Sequence, residues 1–184
     1  MWRTTAPKGE ALFEVGGYRV RRVSEEDAPL IRELGERCLD HLELHYGSPP
    51  DPGQMIRDLL TDLPPGKTLG DKFGMGVFDR AERLVGAIDV IRDYPEPREW
   101  YLGLLVLEPG QRNQGLGARL LEALTHWLLR HDAAYLRLAV SEHNAPGLRF
   151  WKRSGFQPVK QVVAEFGNKT SLFHVMRREL EFLS

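Results

Sequence analysis

The sequence predicts an α/β fold, with a mixed central sheet of about seven strands and helices on both faces. Two observations carry this. The segments order themselves β, α, α, β, β, β, α, β, α, β, β, an arrangement that needs one sheet covered by helices rather than separate domains. The run Trp100–Leu107 is almost wholly apolar over a strand's length, as expected of a strand buried on both faces.

In chain order, residues 1–16 read as an N-terminal arm with a short strand at Ala11–Val15, and residues 17–184 as a single domain. Tyr18–Val23 alternates and reads as a strand. Ser24 then opens a helix, with Glu25, Glu26 and Asp27 in the first turn, where the helix dipole favours negative charge. Leu30, Ile31, Leu34, Cys38 and Leu42 follow at helical spacing, so Cys38 reads as packing. The proline- and glycine-rich stretch 47–53 breaks this helix, and a second short one follows at Gln54–Thr61. Lys72–Asp79 and Arg83–Arg92 are strands, and a turn over Asp93–Arg98 leads into Trp100–Leu107. Gly115–His131 is a helix with Leu116, Leu120, Leu121, Leu124, Trp127 and Leu128 on one face. Tyr135–Val140 is a buried strand, and Pro146–Arg153 a short helix capped by Gly155. Phe156–Glu165 and Ser171–Arg178 close the chain as an antiparallel pair around Gly167 and Asn168.

Composition narrows the function classes. The chain has 184 residues, and 25 basic against 26 acidic side chains leave a net charge of −1. A broad nucleic-acid or membrane-surface partner needs a basic face and is not expected. The single cysteine excludes an intrachain disulfide and suits a reduced, cytoplasmic compartment. Residues 1–10 hold no apolar core of a secretory leader, and no run approaches membrane-spanning length. The six histidines show no ligand-like spacing beyond His41 and His45, so no metal is expected.

The chemistry-bearing stretch is Leu105 to Ala118, where an apolar strand passes through a tight glycine turn straight into a helix. Such a corner exposes main-chain N–H groups that have no partner inside the helix. They carry partial positive charge, and a phosphate is their natural occupant. Gly115 and Gly117 remove the Cβ atoms that would block its approach. Three phosphate-binding patterns compete. A dinucleotide fingerprint needs a further glycine where Leu120 stands, and a Walker A loop needs a Gly-Lys-Ser/Thr that is absent. The third is Arg/Gln-x-x-Gly-x-Gly/Ala, matched by Arg112, Gly115 and Gly117. That motif, with Asn144, the aromatic pair Phe150–Trp151 and the closing Gly155–Phe156 downstream, resembles the GNAT superfamily of acetyl-CoA-dependent N-acetyltransferases. The resemblance spans about Tyr18–Arg178.

It implies a GNAT-like acyl-CoA N-acyltransferase fold, with acetyl-CoA as co-substrate and no metal. The diphosphate is then expected on the amides of Arg112, Asn113, Gln114, Gly115, Leu116, Gly117 and Ala118, with the Arg112 side chain adding a charge. The pantetheine arm is expected along the main chain of Leu105, Val106 and Leu107, with Asn144 and Trp151 beside it. Each has a plainer alternative: core strand residues, a solvated arginine, a helix-capping asparagine. The implied reaction is direct attack by a primary amine of a small molecule or peptide, and the resemblance also admits a homodimer. The alternative is a non-catalytic acetyl-CoA-binding or sensing domain.

The chain departs from the family pattern twice. Where members often carry an acidic tyrosine seven residues after the asparagine, this chain has Trp151, whose indole is no useful acid. Where a glutamate base often stands eleven residues before the motif arginine, it has Tyr101. Glu99 shares that face by strand periodicity, so Glu99 and Tyr101 are the candidates for the base. Asp89, Asp93 and His143 stand behind them, with water an equal alternative. The acceptor wall is expected from His41, His45, Tyr46 and the loop 49–53, facing Asp93–Arg98.

Overall fold

A computed structural model describes residues 9–182. It holds one eight-stranded sheet in the order β1-β2-β3-β4-β5-β6-β8-β7. The strands are β1 (Ala11–Val15), β2 (Tyr18–Arg22), β3 (Lys72–Phe78), β4 (Leu84–Ile91), β5 (Glu99–Leu107), β6 (Tyr135–Ser141), β7 (Gln157–Phe166) and β8 (Lys169–Glu179). All neighbours are antiparallel except β5 and β6. The helices are α1 (Ala28–Arg37), α2 (Leu39–Tyr46), α3 (Gln54–Leu60), α4 (Leu116–Arg130) and α5 (Ala145–Arg153). The mixed sheet with helices is the architecture expected, with one more strand. The eighth is the Ala11–Val15 strand expected in the N-terminal arm, which joins the sheet by pairing with β2; residues 1–8 of that arm lie outside the described residues.

Two apolar layers flank the sheet, as its alternating side chains require. On one face, Leu116, Leu120, Leu124 and Leu128 of α4 pack on Met75, Ile88, Val90 and Leu102. On the other, Ile31, Leu34, Leu42, Met55 and Leu59 of α1–α3 pack on Phe78, Leu84, Leu104 and Val106. The long helix expected after Ser24 is broken in two at Cys38, which leaves helical geometry at ψ 34°. The break turns α2 along the sheet and leaves Cys38 fully buried between the pieces. A local stripe of apolar residues cannot foretell such a bend, because both pieces keep the same buried side.

Candidate functional site

The corner after β5 is built by short-range bonds. Residues Pro109–Gln111 form one 3₁₀ turn, and the Tyr18 hydroxyl donates to Gln111 Oε1 at 2.6 Å. The Gln111 and Arg112 amides donate to the carbonyls of Glu108 and Pro109. The chain then passes through left-handed Asn113 (φ 60°) and Gly115 (φ 79°) and enters α4, whose first bond runs from the Arg119 N–H to the Gly115 carbonyl. Between those bonds, the N–H groups of Asn113 through Ala118 find no acceptor among the described residues. A Cβ on Gly115 would meet no protein atom within 4 Å, so its glycine is needed for backbone conformation and the space above it is open. Clustered amides at a helix N-terminus of this kind favour an anion.

Upstream of the corner the sheet splits. Parallel pairing of β5 and β6 covers Glu99, Trp100 and Tyr101 and then stops, although β5 runs on to Leu107 and β6 to Ser141. On its other side β5 stays paired with β4, but the register slips: Asp89 faces Leu104 and Val90 faces Leu102, so Gly103 is the extra, bulged residue. A bulge bends its strand, which turns β5 away from β6 and leaves its main-chain groups beyond Tyr101 without a β6 partner. Gly103 is the one exposed residue in a strand at the middle of the sheet.

Beneath Gly103 lies a buried charged pair. Asp89 and Lys72 are 6% and 3% exposed, and Lys72 Nζ sits 3.0 Å from Asp89 Oδ2. The ammonium also donates to the carbonyls of Asp58 and Asp62, both at 2.8 Å. Asp89 Oδ1 is buried with no hydrogen-bond partner. Burial pushes the Asp89 carboxyl up to about 7, against the opposing pull of Lys72. A side chain on Gly103 would crowd this carboxylate, with its Cβ 3.0 Å from Oδ2.

A model of the acetyltransferase (GNAT) family matches residues 36–156, from the end of α1 to the residue before β7. The chain belongs to the GNAT acetyltransferase family. Among solved structures, an acetyltransferase from Thermus thermophilus is similar, with 25% identity, a TM-score of 0.71, and coverage of 91% of this chain and 100% of that one. A ribosomal-protein-S5-alanine acetyltransferase from Vibrio fischeri has 15% identity, a TM-score of 0.71, and coverage of 94% and 98%. A spermidine N-acetyltransferase from Vibrio cholerae, solved with CoA and spermine, has 14% identity, a TM-score of 0.67, and coverage of 89% and 96%. These last two likenesses are of fold alone. No curated protein matches the sequence.

Within this GNAT fold, the candidate residues fall into separate places. The Arg112 guanidinium is held by Asp40 (2.5 and 3.2 Å) and by the Leu107 carbonyl (2.7 Å), so it ties α2 to the end of β5. Asn144 caps α5, its Oδ1 accepting from the Gly147 N–H at 3.0 Å. Trp151 packs edge-on against Phe150 and Phe156. Glu99 lies at the closed end of β5 and β6, 3% exposed, with Arg137 at 2.5 Å and Arg177 at 3.4 Å. Two guanidinium groups thus occupy that carboxylate. Tyr101 stacks edge-on with Tyr94, and burial pushes its phenol up to about 12, far from a base's working range. Asp93 accepts the Arg98 amide in its own turn, and His143 is exposed on the β6–α5 turn.

The segment expected for the acceptor wall packs against the last hairpin of the sheet. The loop after α2 meets the β7–β8 turn: the Asn168 amide donates to the Tyr46 carbonyl and its Nδ2 to the Ser48 carbonyl at 2.8 Å. Phe166 stands edge-on to Tyr46. The Asp93–Arg98 turn is held instead by Lys67 and Asp132. Such contacts between residues 120 apart leave no local trace in a sequence. The His41 and His45 rings lie 4.3 Å apart at a tilt, and burial pushes His41 down to about 3. Among the described residues no group of acids, histidines and cysteine is placed to hold a metal. In the sequence alone Asp89 stands behind Glu99 and Tyr101, and neither Gly103 nor Lys72 is singled out. The signal was present: an acid in the middle of apolar β4 and a glycine in the middle of apolar β5.

Proposed function

We propose that this chain transfers an acetyl group from acetyl-CoA to a primary amine of a small molecule or peptide, by direct attack in a ternary complex. The observation that carries the reading is the run of partnerless amides at Asn113–Ala118, set at the open end of a split between parallel strands. A diphosphate suits those donors, whose hydrogen bonds to charged oxygens are each worth about 1.5–3 kcal/mol. A narrow amide-bearing arm suits the β5 edge from Gly103 to Leu107, which β6 leaves unpaired. The thioester carbonyl then lies at the bulge, where a main-chain N–H of β5 polarises it. The Arg112 amide donates to Pro109, so this residue acts through its side chain, fixing the corner against Asp40.

Trp151 cannot protonate the departing sulfur. A CoA thiolate is a good enough leaving group to depart without an acid, so the loss is tolerable. The same residue favours one alternative, an acetyl-CoA-binding domain without turnover. A reduced compartment such as the cytoplasm suits the lone buried thiol of Cys38. A panel of diamines, amino acids and peptides, assayed for free CoA thiol, separates the two. Thiol release dependent on an amine supports transfer. Stabilisation by acetyl-CoA with no thiol above background on any acceptor favours the binding domain.

A further inference from the structure

We propose that Asp89 receives the acceptor amine as an ammonium ion and removes its proton, reached through the gap that Gly103 leaves in β5. The inference rests on the acetyl-transfer reading above and assigns that site its proton acceptor.

The case starts from the unsatisfied oxygen. A buried carboxylate oxygen without a donor is costly and demands an explanation. Lys72 cannot supply one by turning, because its donors are taken up by Asp58, Asp62 and Asp89 Oδ2. A pairing that served only to fasten α3 to the sheet would be complete without Oδ1. The open lone pairs fit an N–H donor from outside. The only exposed position in β5, Gly103, borders the same carboxylate on its Oδ2 side, where a Cβ would stand 3.0 Å away, and it is the position without a side chain.

Distance then decides between acids. Neighbouring strands lie about 4.8 Å apart. Asp89 faces Leu104 across that spacing, next to the bulge where the reacting carbonyl is placed. Glu99 is four positions back along β5, roughly 13 Å at about 3.3 Å per residue. Its carboxylate is also already paired with two arginines.

The charged and titratable groups around Asp89 are Lys72 on β3, Asp58 and Asp62 on α3 and its exit, Tyr46 of α2 through its 2.6 Å bond to Asp58, and Tyr101 on the same face of β5. Burial and the two other acids raise the Asp89 carboxyl and Lys72 lowers it, with the balance near neutrality. A base so poised is half ionised at working pH. In the step itself the ammonium R–NH3+ passes one proton to the Asp89 carboxylate. The freed lone pair forms the C–N bond to the acetyl carbon, and the carbonyl electron pair moves to oxygen. As that pair returns, the C–S bond breaks and its electrons leave on sulfur. The second nitrogen proton goes to the thiolate through water, giving amide and CoA thiol, and Asp89 returns its proton to solvent. Lys72 is a positioning residue that holds the carboxylate against Gly103 through Oδ2.

The test compares the wild type with Asp89→Asn at saturating acetyl-CoA. The variant is expected to lose about 10²–10⁴-fold in kcat while its acetyl-CoA affinity stays within twofold. In the wild type, kcat/KM is expected to show an acid limb near pH 7 with the same midpoint for amines of different basicity, and the variant is expected to lack it. Carboxyl-carbon NMR of the ligand-free protein is expected to show an aspartate titrating near 7 that the variant lacks. If Asp89→Asn does not fold, the wild-type profile and the NMR titration decide alone. A variant keeping a third or more of kcat, or no aspartate titrating above about 5.5, overturns the proposal and leaves acetyl transfer standing. Acetyl-CoA bound without thiol release from any amine removes both.

Discussion

Gly117 sits at the second position of α4, inside the run of free amides. Its backbone is ordinary helix, and a Cβ there would meet the Phe150 ring at 3.7 Å, a normal contact. Replacing it with glutamate therefore costs the fold nothing in space. Helix propensity improves by up to about 1 kcal/mol. An acid in the first turn adds about 0.3–1 kcal/mol through the dipole. The free protein is expected to be stabilised by about 1 kcal/mol, a rise in Tm of about 2–4 °C for a chain of this size. Binding moves the other way. The new carboxylate competes for the diphosphate's donors and repels its charge. Losing two charge-assisted bonds removes about 3–6 kcal/mol, which raises the acetyl-CoA Kd by about 10²–10⁴-fold. Calorimetric titration measures the affinity, and melting curves with and without acetyl-CoA measure both effects at once. A folded Gly117→Glu protein that binds acetyl-CoA within threefold of the wild type would show that the diphosphate does not lie on these amides.

Stability should also depend on pH through Asp89. Its carboxyl stands near 7 in the folded chain and near 3.9 unfolded, so the native state binds its proton more tightly and this stabilisation is lost as pH rises from about 4 to 7. His41, pushed down to about 3, acts in the opposite sense: its contribution is present above about 6.5 and lost as pH falls. The stability difference between wild type and Asp89→Asn isolates the first effect, and it should change across pH 4–7 and level off above about 8; parallel curves in chemical denaturation contradict it. Burial pushes the Cys38 thiol up to about 11, so a thiol reagent at pH 8 should label the native chain far more slowly than the unfolded one; equal rates would show that the α1–α2 junction opens. Asp40→Asn breaks an ion pair whose Asp40 side chain is 61% exposed, and it should cost less than about 1 kcal/mol in stability; a larger loss on denaturation would mean that the pair fastens α2 more firmly than its exposure allows.

What the sequence determined by itself was local. Alternation, helical periodicity and turn residues placed the strands and the α4 corner, because those signals act within a few residues. The corner before α4 belonged to this class: Asn113 and Gly115 take the left-handed turn and Gly117 keeps the helix start open wherever the chain lies. The tertiary structure alone decided the rest. Asp89 reads as one acid in an apolar strand until β3 brings Lys72 beneath it and the β5 bulge sets side-chain-free Gly103 against its carboxylate. Glu99 reads as a reactive acid until β6 and β8 deliver Arg137 and Arg177. The loop after α2 is fixed when the β7–β8 turn reaches Tyr46 and Ser48 from the far end of the chain. Charge, burial and proton affinity depend on through-space neighbours, and a linear pattern records only which residues adjoin along the chain.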